Sequence, residues 1–480
     1  MVPEVEKNKF MEHKGLSIDG DKGGESMKRK ILSIALLAML ALGCGAKASA
    51  QSVSINQKTF PNKIFRTEVS KWDRDRNGTL SVKEIKNIKK ISMKTKAKNQ
   101  NKTMNLAGIE RLSHLTELRV ENGYRIKNLK SKSLKKMTVD QYALSKLSVK
   151  GVPNLTAFSV NPKNEISKES GRGYSAVKDP LTDFSGNRKL VSLYYSYKHT
   201  KKNLKISKCH ELEELSLGYE VSGIDLSNFL KLQWLELSGK SNMTLDLSML
   251  SNLKTVSCEG RIANVLLPKE SQLEEISFDG VNGLDLSDQT KLKSVVLGMC
   301  QLTSDLSQNK DLQQVNLYLC KVDHALDFSQ KPDLQKVNIY GINDQMFDFS
   351  QSSQLESIEI DSGHGLSLIM PNSEGLEYIQ LCNVDIPEVN LSGCPNVKRI
   401  EFRVDGMEKT HVIPRVIANT LKELIYVNLH GNLAYENCNT YSLDSFDISQ
   451  SSKIRTLFIE NLPAYQVKKE WFPDLELTNL

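Results

Sequence analysis

The sequence predicts an α/β, β-rich solenoid, and two observations carry this prediction. A phrase of the type Leu-x-x-Leu-x-Leu returns about every 21 residues, as at 232–237, and its last three positions alternate with the period of a strand. One such unit cannot bury its apolar edge alone, so neighbouring coils must stack. This spacing is that of a leucine-rich repeat, for which we expect a right-handed superhelix with a parallel concave sheet.

The repeat also predicts where the coils lie. The steps between coils lengthen at 161–182, 403–422 and 434–443, where polar residues must loop out as functional insertions or as tolerated surface insertions. Residues 101–480 are predicted to form about sixteen coils, whose triplets begin at Leu115, Leu134, Leu155, Leu190, Leu212, Leu232, Leu253, Leu273, Leu292, Leu312, Leu334, Leu355, Leu376, Val397, about Leu424, and Ile454.

The segments that connect the predicted strands are short and rich in Ser, Asn, Asp and Gly. This composition favours extended or turn-like structure over helices. An Asp-Leu-Ser type of motif recurs in these segments, and we expect its Asp to accept backbone N–H groups in an Asx-type turn. A row of metal-chelating carboxylates is the alternative, disfavoured by the single acid in each coil. The acids are Asp183, Asp225, Asp246, Asp285, Asp305, Asp327, Asp348 and Asp447.

The first 50 residues do not follow the repeat. Residues 27–50 combine a basic start, an apolar stretch of about a dozen residues and small residues at the end, which is typical of a secretory signal peptide. Residues 1–26 are then a leader or a mis-assigned start. Lipid modification at Cys44 is the alternative to a freely secreted chain. We expect no transmembrane segment, because the apolar stretch is too short to span a bilayer.

Residues 51–100 are predicted to form an N-terminal cap that contains an EF-hand. Residues 73–84 fill every liganding position of the EF-hand loop, and Gly78 allows the sharp turn at its sixth position. Apolar residues on both sides predict an entering and an exiting helix. We therefore expect a structural calcium site; the alternative is a cap that no longer binds metal, because three cationic residues weaken the attraction. The predicted ligands are Asp73, Asp75, Asn77, Thr79, Ser81 and Glu84.

The cap and the first coil resemble the opening of secreted bacterial leucine-rich repeat proteins, and the residues that carry the resemblance are 60–66, 73–84, 91–93 and 106–118. Members from host-associated anaerobes carry an EF-hand-like segment before repeats of the Leu-Asp-Leu-Ser type. The chain is more distantly similar to internalins, whose repeats bind host surface proteins. It departs from them in lacking a regular Asn ladder and in ending without a wall-sorting signal, so the resemblance implies a binding protein but no cell-wall attachment.

Charge is distributed unevenly along the chain. The formal net charge is +7, yet residues 51–208 hold 35 Lys and Arg against 12 Asp and Glu, whereas residues 209–480 hold 21 against 39. The basic half, with its run from Lys127 to Lys136, predicts salt-sensitive attraction to a polyanionic glycan or an envelope surface. The alternative is that this uneven charge distribution serves solubility or head-to-tail self-association. Nucleic acid is not expected, because the chain is predicted to be exported.

Aromatic residues stand out among the small and polar residues that face outward from the predicted sheet. Tyr194 and Trp234 are expected two strand spacings apart, on the order of 10 Å. A Tyr/Trp pair flanked by carboxylates has the composition of a surface that binds a protein or sugar, and a protein partner, from a host or a cell surface, is favoured. The predicted patch consists of Ser192, Tyr194, Glu214, Trp234 and Glu236. Tyr378, Tyr426 and Phe458 are candidates for further contacts.

Catalytic chemistry finds no support in the sequence. The histidines are dispersed over different coils, and no nucleophile elbow, phosphate-binding loop or zinc-binding helix motif occurs, so we expect no enzyme. The cysteines after residue 50 are odd in number and scattered, which predicts no disulfide framework. Cys258 is expected to be a buried apolar residue. Cys300 and Cys320 fall at equivalent places in adjacent coils, as two core thiols or as a disulfide or metal pair.

Overall fold

One long parallel sheet organises the chain. The computed structural model describes residues 51–94, 102–121, 123–160, 180–195, 204–218, 225–238, 244–260, 262–269, 271–404, 413–418, 421–430, 451 and 453–460. Within these residues the sheet contains 17 strands. They are β3 (Lys90–Lys94), β5 (Glu117–Glu121), β7 (Lys136–Val139), β8 (Ala157–Val160), β9 (Ser192–Tyr195), β10 (Glu214–Gly218), β11 (Trp234–Ser238), β13 (Thr255–Glu259), β15 (Glu275–Asp279), β16 (Ser294–Gly298), β18 (Gln314–Tyr318), β20 (Lys336–Tyr340), β22 (Ser357–Gly363), β24 (Tyr378–Val384), β26 (Arg399–Arg403), β28 (Tyr426–His430) and β29 (Thr456–Glu460).

The strands confirm the predicted repeat. Each of the sixteen predicted triplets is followed two residues later by a strand of this sheet, as Leu232 is followed by Trp234 at the start of β11. Each strand pairs in parallel with the next, from β3 with β5 to β28 with β29. No pairing joins β3 to β29 among the described residues, so the sheet is an open ribbon. We number the coils by these strands, from coil 1 with β5 to coil 16 with β29.

The core is one continuous row of stacked apolar side chains. Along β11, for example, Leu235 and Leu237 are buried while Trp234 and Glu236 face outward. Cys258 occupies such an inward position at 2% exposure, and its burial raises the pKa of the thiol to about 12. The cysteines within the described residues are all free and buried, which confirms Cys300 and Cys320 as core thiols.

The connecting segments are extended and turn-like, as predicted. Ten short strands lie in them and pair in parallel between neighbouring coils, and no α-helix occurs in the described part of 102–460. Two 3₁₀ turns, Ile109–Arg111 and Gln141–Leu144, are the helical segments of that part. The paired strands are β4 (Thr103–Asn105) with β6 (Arg125–Lys127), β12 (Thr244–Asp246) with β14 (Asn264–Leu266), β17 (Gln301–Leu302) with β19 (Lys321–Val322), β21 (Met346–Asp348) with β23 (Ser367–Ile369), and β25 (Glu388–Asn390) with β27 (Arg415–Ile417).

The recurring Asp residues form the predicted turns. The Oδ1 atom of Asp246 accepts the backbone N–H of Ser248 at 3.0 Å and its hydroxyl at 2.6 Å, and Asp225 accepts the same two groups of Ser227. These bonds lower the pKa of both carboxyls, the hydroxyl bond most. In coil 14 Asn390 makes the same two contacts with Ser392, so the turn needs the oxygen and not the charge.

A second recurring position lies three residues before each triplet and is buried wherever the structure describes it. Where it holds Asn, Gln or Lys, the side chain donates to a carbonyl of the preceding coil. Nδ2 of Asn309 donates to the carbonyls of Leu286 and Gln289, both at 2.9 Å, and Nζ of the fully buried Lys331 donates to the carbonyl of Leu306 at 3.0 Å. Such bonds satisfy backbone groups that stacking removes from water.

The cap packs against coil 1. It contains β1 (Val53–Ser54), α1 (Lys63–Ser70), β2 (Thr79–Leu80) and α2 (Val82–Asn87), with β1 antiparallel to β2. Phe60 and Phe65 are fully buried with their rings edge to face, 5.6 Å apart. Gly108 of coil 1 has φ of 95°, and a Cβ there would lie 2.2 Å from the carbonyl oxygen of Thr59. The cap therefore rests directly on the backbone of coil 1.

Several sequence predictions concern residues outside the described ranges. The signal peptide at 27–50, Cys44, Asp447 and the insertion at 434–443 lie outside them. So do residues 161–179 of the first insertion and residues 405–412 and 419–420 of the second. Within the described residues, no helix has both the length and the apolar character needed to cross a membrane.

The Asp turns predict an acid-sensitive contribution to stability. Because folding lowers the pKa of Asp225 and Asp246, their contribution is complete above the ordinary carboxyl pKa of 3.8 and is lost as the pH falls through the folded-state value. Replacing both by Ala should lower the melting temperature at neutral pH by on the order of 1–2 °C. Replacing both by Asn should leave it unchanged there and reduce its fall between about pH 6 and about pH 3. Equal loss in the Asn and Ala variants at neutral pH would show that the charge, not the oxygen, forms the turn.

Candidate functional site

The predicted calcium loop joins the two helices of the cap. α1 begins after Asn62, whose side chain accepts the N–H of Phe65, and α2 begins after Ser81 with a capping box to Glu84. Between them, Arg76 and Gly78 have φ of 58° and 79°, so the chain turns sharply at the predicted place. The turn brings carboxylate oxygens of Asp73, Asp75 and Glu84 to within 4.8 Å of one another.

Backbone amides hold the loop around these oxygens. Asp73 accepts the N–H of Gly78 at 2.9 Å and that of Asn77 at 3.2 Å, and Oδ1 of Asn77 accepts the N–H of Thr79 at 2.8 Å. Nδ2 of Asn77 donates to Asp75 at 2.8 Å. The loop thus gathers side-chain oxygens, and hard oxygen donors are the set that calcium prefers.

Glu84, the last predicted ligand, is only 7% exposed. It accepts the N–H of Ser81 at 2.8 Å, the hydroxyl of Ser81 at 2.7 Å and the N–H of Arg74 at 2.7 Å. These bonds, the backbone bond from Ser81 first, lower the pKa of the carboxyl. The residues fit a calcium ion because Glu84 is held ionised beside Asp73 and Asp75.

The five predicted partner-binding residues lie together on the outer face of the main sheet, which we call the sheet face. Ser192, Glu214 and Trp234 share one register row of β9, β10 and β11, and Tyr194 and Glu236 share the next. The Tyr194 and Trp234 rings are in contact, with centroids 5.6 Å apart, although their strands are separated by β10. The small side chain of Ser216 on β10 leaves room for the two rings to meet. The patch is therefore tighter than the strand spacing alone predicts.

Hydrogen bonds fix the carboxylates of this patch. The Tyr194 hydroxyl donates to Glu214 at 2.6 Å, and the Ser216 hydroxyl donates to Glu236 at 2.8 Å. Burial of the ring, followed by the bond to Glu214, raises the pKa of Tyr194 to about 12. The hydroxyl thus stays protonated over the physiological range and acts as a donor.

A second aromatic cluster lies near the far end of the sheet face. Tyr378, Arg399 and Tyr426 share a register row on β24, β26 and β28. The guanidinium carbon of Arg399 lies 5.3 Å from the Tyr378 ring centroid and 4.4 Å from that of Tyr426, and it is bound to the 8%-exposed Glu401. Phe458 extends the cluster, 6.0 Å from the Tyr426 ring. The sequence analysis identified the three aromatic residues but not Arg399. The available signal was that Arg399 occupies the same strand position on β26 as Tyr378 on β24 and Tyr426 on β28.

A third exposed cluster was missed altogether. The Tyr318 and Tyr340 rings stack at 4.8 Å, and Tyr318 is 47% exposed beside the exposed Leu319 and Met299. Leu319 and Met299 have φ of 50° and 49°, left-handed values that side chains other than Gly rarely adopt. The recurrence of Tyr at the last strand position of coils 10 and 11 was the available signal.

Solved structures of leucine-rich repeat proteins resemble this chain. The functional domain of InlJ from Listeria monocytogenes, which includes a cysteine ladder, is 18% identical with a TM-score of 0.52, over 85% of this chain and 75% of that one. An internalin, inlF, from the same species is 15% identical with a TM-score of 0.43, over 79% and 98%. The Arabidopsis receptor kinase HAESA, solved with the peptide hormone IDA and the co-receptor SERK1, is 14% identical with a TM-score of 0.42, over 69% and 60%. No family model and no curated protein matches the chain.

The likeness to the InlJ domain agrees with the leucine-rich repeat solenoid described above. At this level of identity it concerns the fold alone.

The stacking of Arg399 predicts that arginine and lysine at this position give different free energies of unfolding. Arg399→Lys should lower the free energy of unfolding by about 1–2 kcal/mol, because an ammonium cannot stack flat between Tyr378 and Tyr426 or form a fork with Glu401. Denaturant unfolding of the variant measures this. The matched control is Arg455→Lys, at an exposed arginine, which should change stability little. Equal effects of the two substitutions would remove the stack as a source of stability.

Proposed function

We propose that this chain is a secreted or cell-surface binding protein that recognises a protein partner through the sheet face, with a structural calcium site in its cap. Binding, not catalysis, is the proposed activity. The observation that carries the proposal is the contact between Tyr194 and Trp234, which lie on coils 4 and 6 and are flanked by Glu214 and Glu236. Large aromatic side chains of this kind supply most of the binding energy at protein interfaces.

Pre-organisation supports the choice of this patch. Tyr194 is held by its bond to Glu214 and by contact with Trp234, and Glu236 is held by Ser216, so little side-chain freedom remains to be lost on binding. Rigid strands beneath the patch fix the spacing of its groups. The two carboxylates favour a partner that places basic or N–H groups around an apolar centre.

The proposed calcium site would stabilise the cap. The donors are the side-chain oxygens of Asp73, Asp75, Asn77 and Glu84, with the Thr79 carbonyl and Ser81 as further candidates. A bound divalent cation would neutralise carboxylates that otherwise repel one another. Because α1 and α2 are joined by the loop, this would hold both helices over coil 1, whose apolar end needs a cover.

A second candidate function is association with a polyanionic glycan or envelope surface through the basic half. The observation that favours it is the excess of 35 Lys and Arg over 12 Asp and Glu in residues 51–208. Such an interaction would weaken steeply with salt, whereas recognition centred on Tyr194 and Trp234 would persist.

The calcium proposal predicts metal-dependent stability of the full chain. Calcium in excess over chelator should raise the melting temperature by on the order of 5 °C, because binding to the folded state alone adds stability. Asp73→Asn/Glu84→Gln, which preserves shape and removes two charges, should abolish the rise. Fluorescence of the half-buried Trp72, next to Asp73, should report the same event.

Asp285→Asn is the matched control, since Asp285 accepts the N–H of Ser287 in a turn far from the cap. It should keep the full calcium response. Identical melting of the unmodified chain with calcium and with chelator would contradict the calcium proposal, and a calcium response that the double variant retains would place the ion elsewhere.

The sheet-face proposal predicts which peptides the chain selects. Peptides from a displayed library, selected on the full chain at about 0.5 M salt to suppress charge attraction, should bind Tyr194→Ser/Trp234→Ser at least about tenfold more weakly. The matched control, Tyr318→Ser/Tyr340→Ser, removes another exposed aromatic pair from the same face and should bind as the unmodified chain does. Selected peptides that bind both variants equally would exclude the Tyr194–Trp234 patch as the recognition surface.

A further inference from the structure

A cavity of about 700 Å³ opens between coils 1, 2 and 3, within the basic half and away from the sheet face. Its size is in the range of small-ligand pockets. Coil 1 contributes two of its lining residues, the connecting segment of coil 2 contributes four, and coil 3 contributes three. They are Glu110, Ser113, Lys130, Ser131, Lys132, Ser133, Lys150, Gly151 and Pro153.

A shortened turn in coil 2 explains the cavity. Coil 3 runs from its buried Val149 to Leu155 in six residues, whereas coil 2 runs from its buried Leu129 to Leu134 in five. The buried position in the middle of this turn is occupied by the small Ser131, so the turn of coil 2 is recessed between its neighbours. The N–H of Ser131 donates to the carbonyl of Gly151 at 2.9 Å. A Cβ at Gly151 would lie 2.4 Å from the carbonyl oxygen of Leu129, so this approach requires Gly.

The same backbone arrangement occurs again between coils 13 and 14. There the N–H of Ser373 donates to the carbonyl of Gly393 at 3.0 Å, and a Cβ at Gly393 would lie 3.0 Å from the carbonyl oxygen of Pro371. Nδ2 of Asn396 donates to the carbonyl of Glu374 at 2.9 Å, as that of its counterpart Asn154 donates to the carbonyl of Lys132 at 2.7 Å.

This second copy separates the residues that the turn needs from those that it does not. Ser, Gly and Asn occur in both copies. The three lysines of the cavity do not, because Lys130, Lys132 and Lys150 correspond in sequence position to Asn372, Glu374 and Ser392. The turn therefore folds without the lysines, and no structural role of the turn explains three cations around one recess.

The charges around the cavity are poorly compensated. Lys130 and Lys132 are exposed and form no ion pair within the described residues, while Lys150 lies 3.3 Å from Asp183. Glu110, the one acid of the lining, already accepts the N–H of Gly108 at 3.0 Å. Like charges converging on a concave surface attract a multivalent anion, and Lys ammonium groups are common partners of phosphate.

We propose that this cavity binds an oligoanion, a small ligand or chain end that carries two or more phosphate or sulfate groups. Lys130 and Lys132 provide the unpaired charges, Lys150 provides a third shared with Asp183, and the hydroxyl of the exposed Ser113 can donate to an anion oxygen. The proposal rests on the second candidate function, to which it gives a defined site, and it is independent of the sheet face.

Calorimetric titration of the full chain at about 50 mM salt tests the proposal. The probes are pyrophosphate, as a free small anion, and a heparin-derived sulfated tetrasaccharide, as a glycan chain end. One-to-one binding of either probe is expected, and the preferred probe identifies the source of the anion. Lys130→Gln/Lys132→Gln/Lys150→Gln should weaken binding at least about tenfold. Lys127→Gln/Lys135→Gln/Lys136→Gln removes the same charge from exposed residues outside the cavity and should weaken it less than about threefold.

A third variant tests the cavity without changing the charge. Ser113→Phe, at an exposed residue of the lining, should occupy the recess and reduce binding as strongly as the first triple variant, with an unchanged melting temperature. Equal weakening by both triple variants, with none by Ser113→Phe, would overturn the cavity proposal while leaving diffuse attraction by the basic half in place. Absence of binding to both probes would overturn the cavity proposal and also the proposed attraction of polyanions by the basic half.

Discussion

Every feature of this molecule depends on the inability of one coil to bury its own apolar edge. A coil of about 21 residues becomes stable only when its inward residues meet those of the coils before and after it. Parallel pairing in register brings these inward residues together, because it places Leu215, Leu235 and Val256 at one level of the core. A shift of one residue would turn these side chains outward and is excluded by the cost of exposing them.

Stacking also dictates where polar groups can lie. Each coil removes backbone groups of its neighbour from water, and the Asp turns and the buried polar position satisfy them from within the repeat. The inward and turn positions are therefore constrained, and the outward strand positions are the ones free to vary. We therefore expect functional side chains at outward strand positions of nearby coils, as with Tyr194 and Trp234, or in a turn that departs from the common length, as at Ser131.

The repeat period was sufficient to predict the strands but not the contacts between side chains. Each predicted triplet is followed by a strand because periodicity fixes the backbone register. β3 was missed as a sheet strand, since it precedes the first full Leu-x-x-Leu-x-Leu phrase and gains its partner from β5. The meeting of the Tyr194 and Trp234 rings depends on Ser216 between them, and the Arg399 stack depends on rotamers, neither of which a period encodes. The cavity follows from the turn of coil 2, which is one residue shorter than that of coil 3. The repeat pattern does not predict the effect of such a local difference in length.

The nearest-neighbour character of the array decides how its sites can influence one another. The cap contacts coil 1 at Gly108, whose N–H donates to Glu110, and Glu110 lines the cavity. The cap therefore meets coil 1 two residues before Glu110 in one wall of the cavity. The patch of Tyr194 begins on β9, three strands beyond β5, and coupling in such arrays is carried from one coil to the next. An ion held by the cap and an anion held by the cavity would thus stabilise the same coils, so each should favour the other, whereas the sheet-face patch should respond little to either.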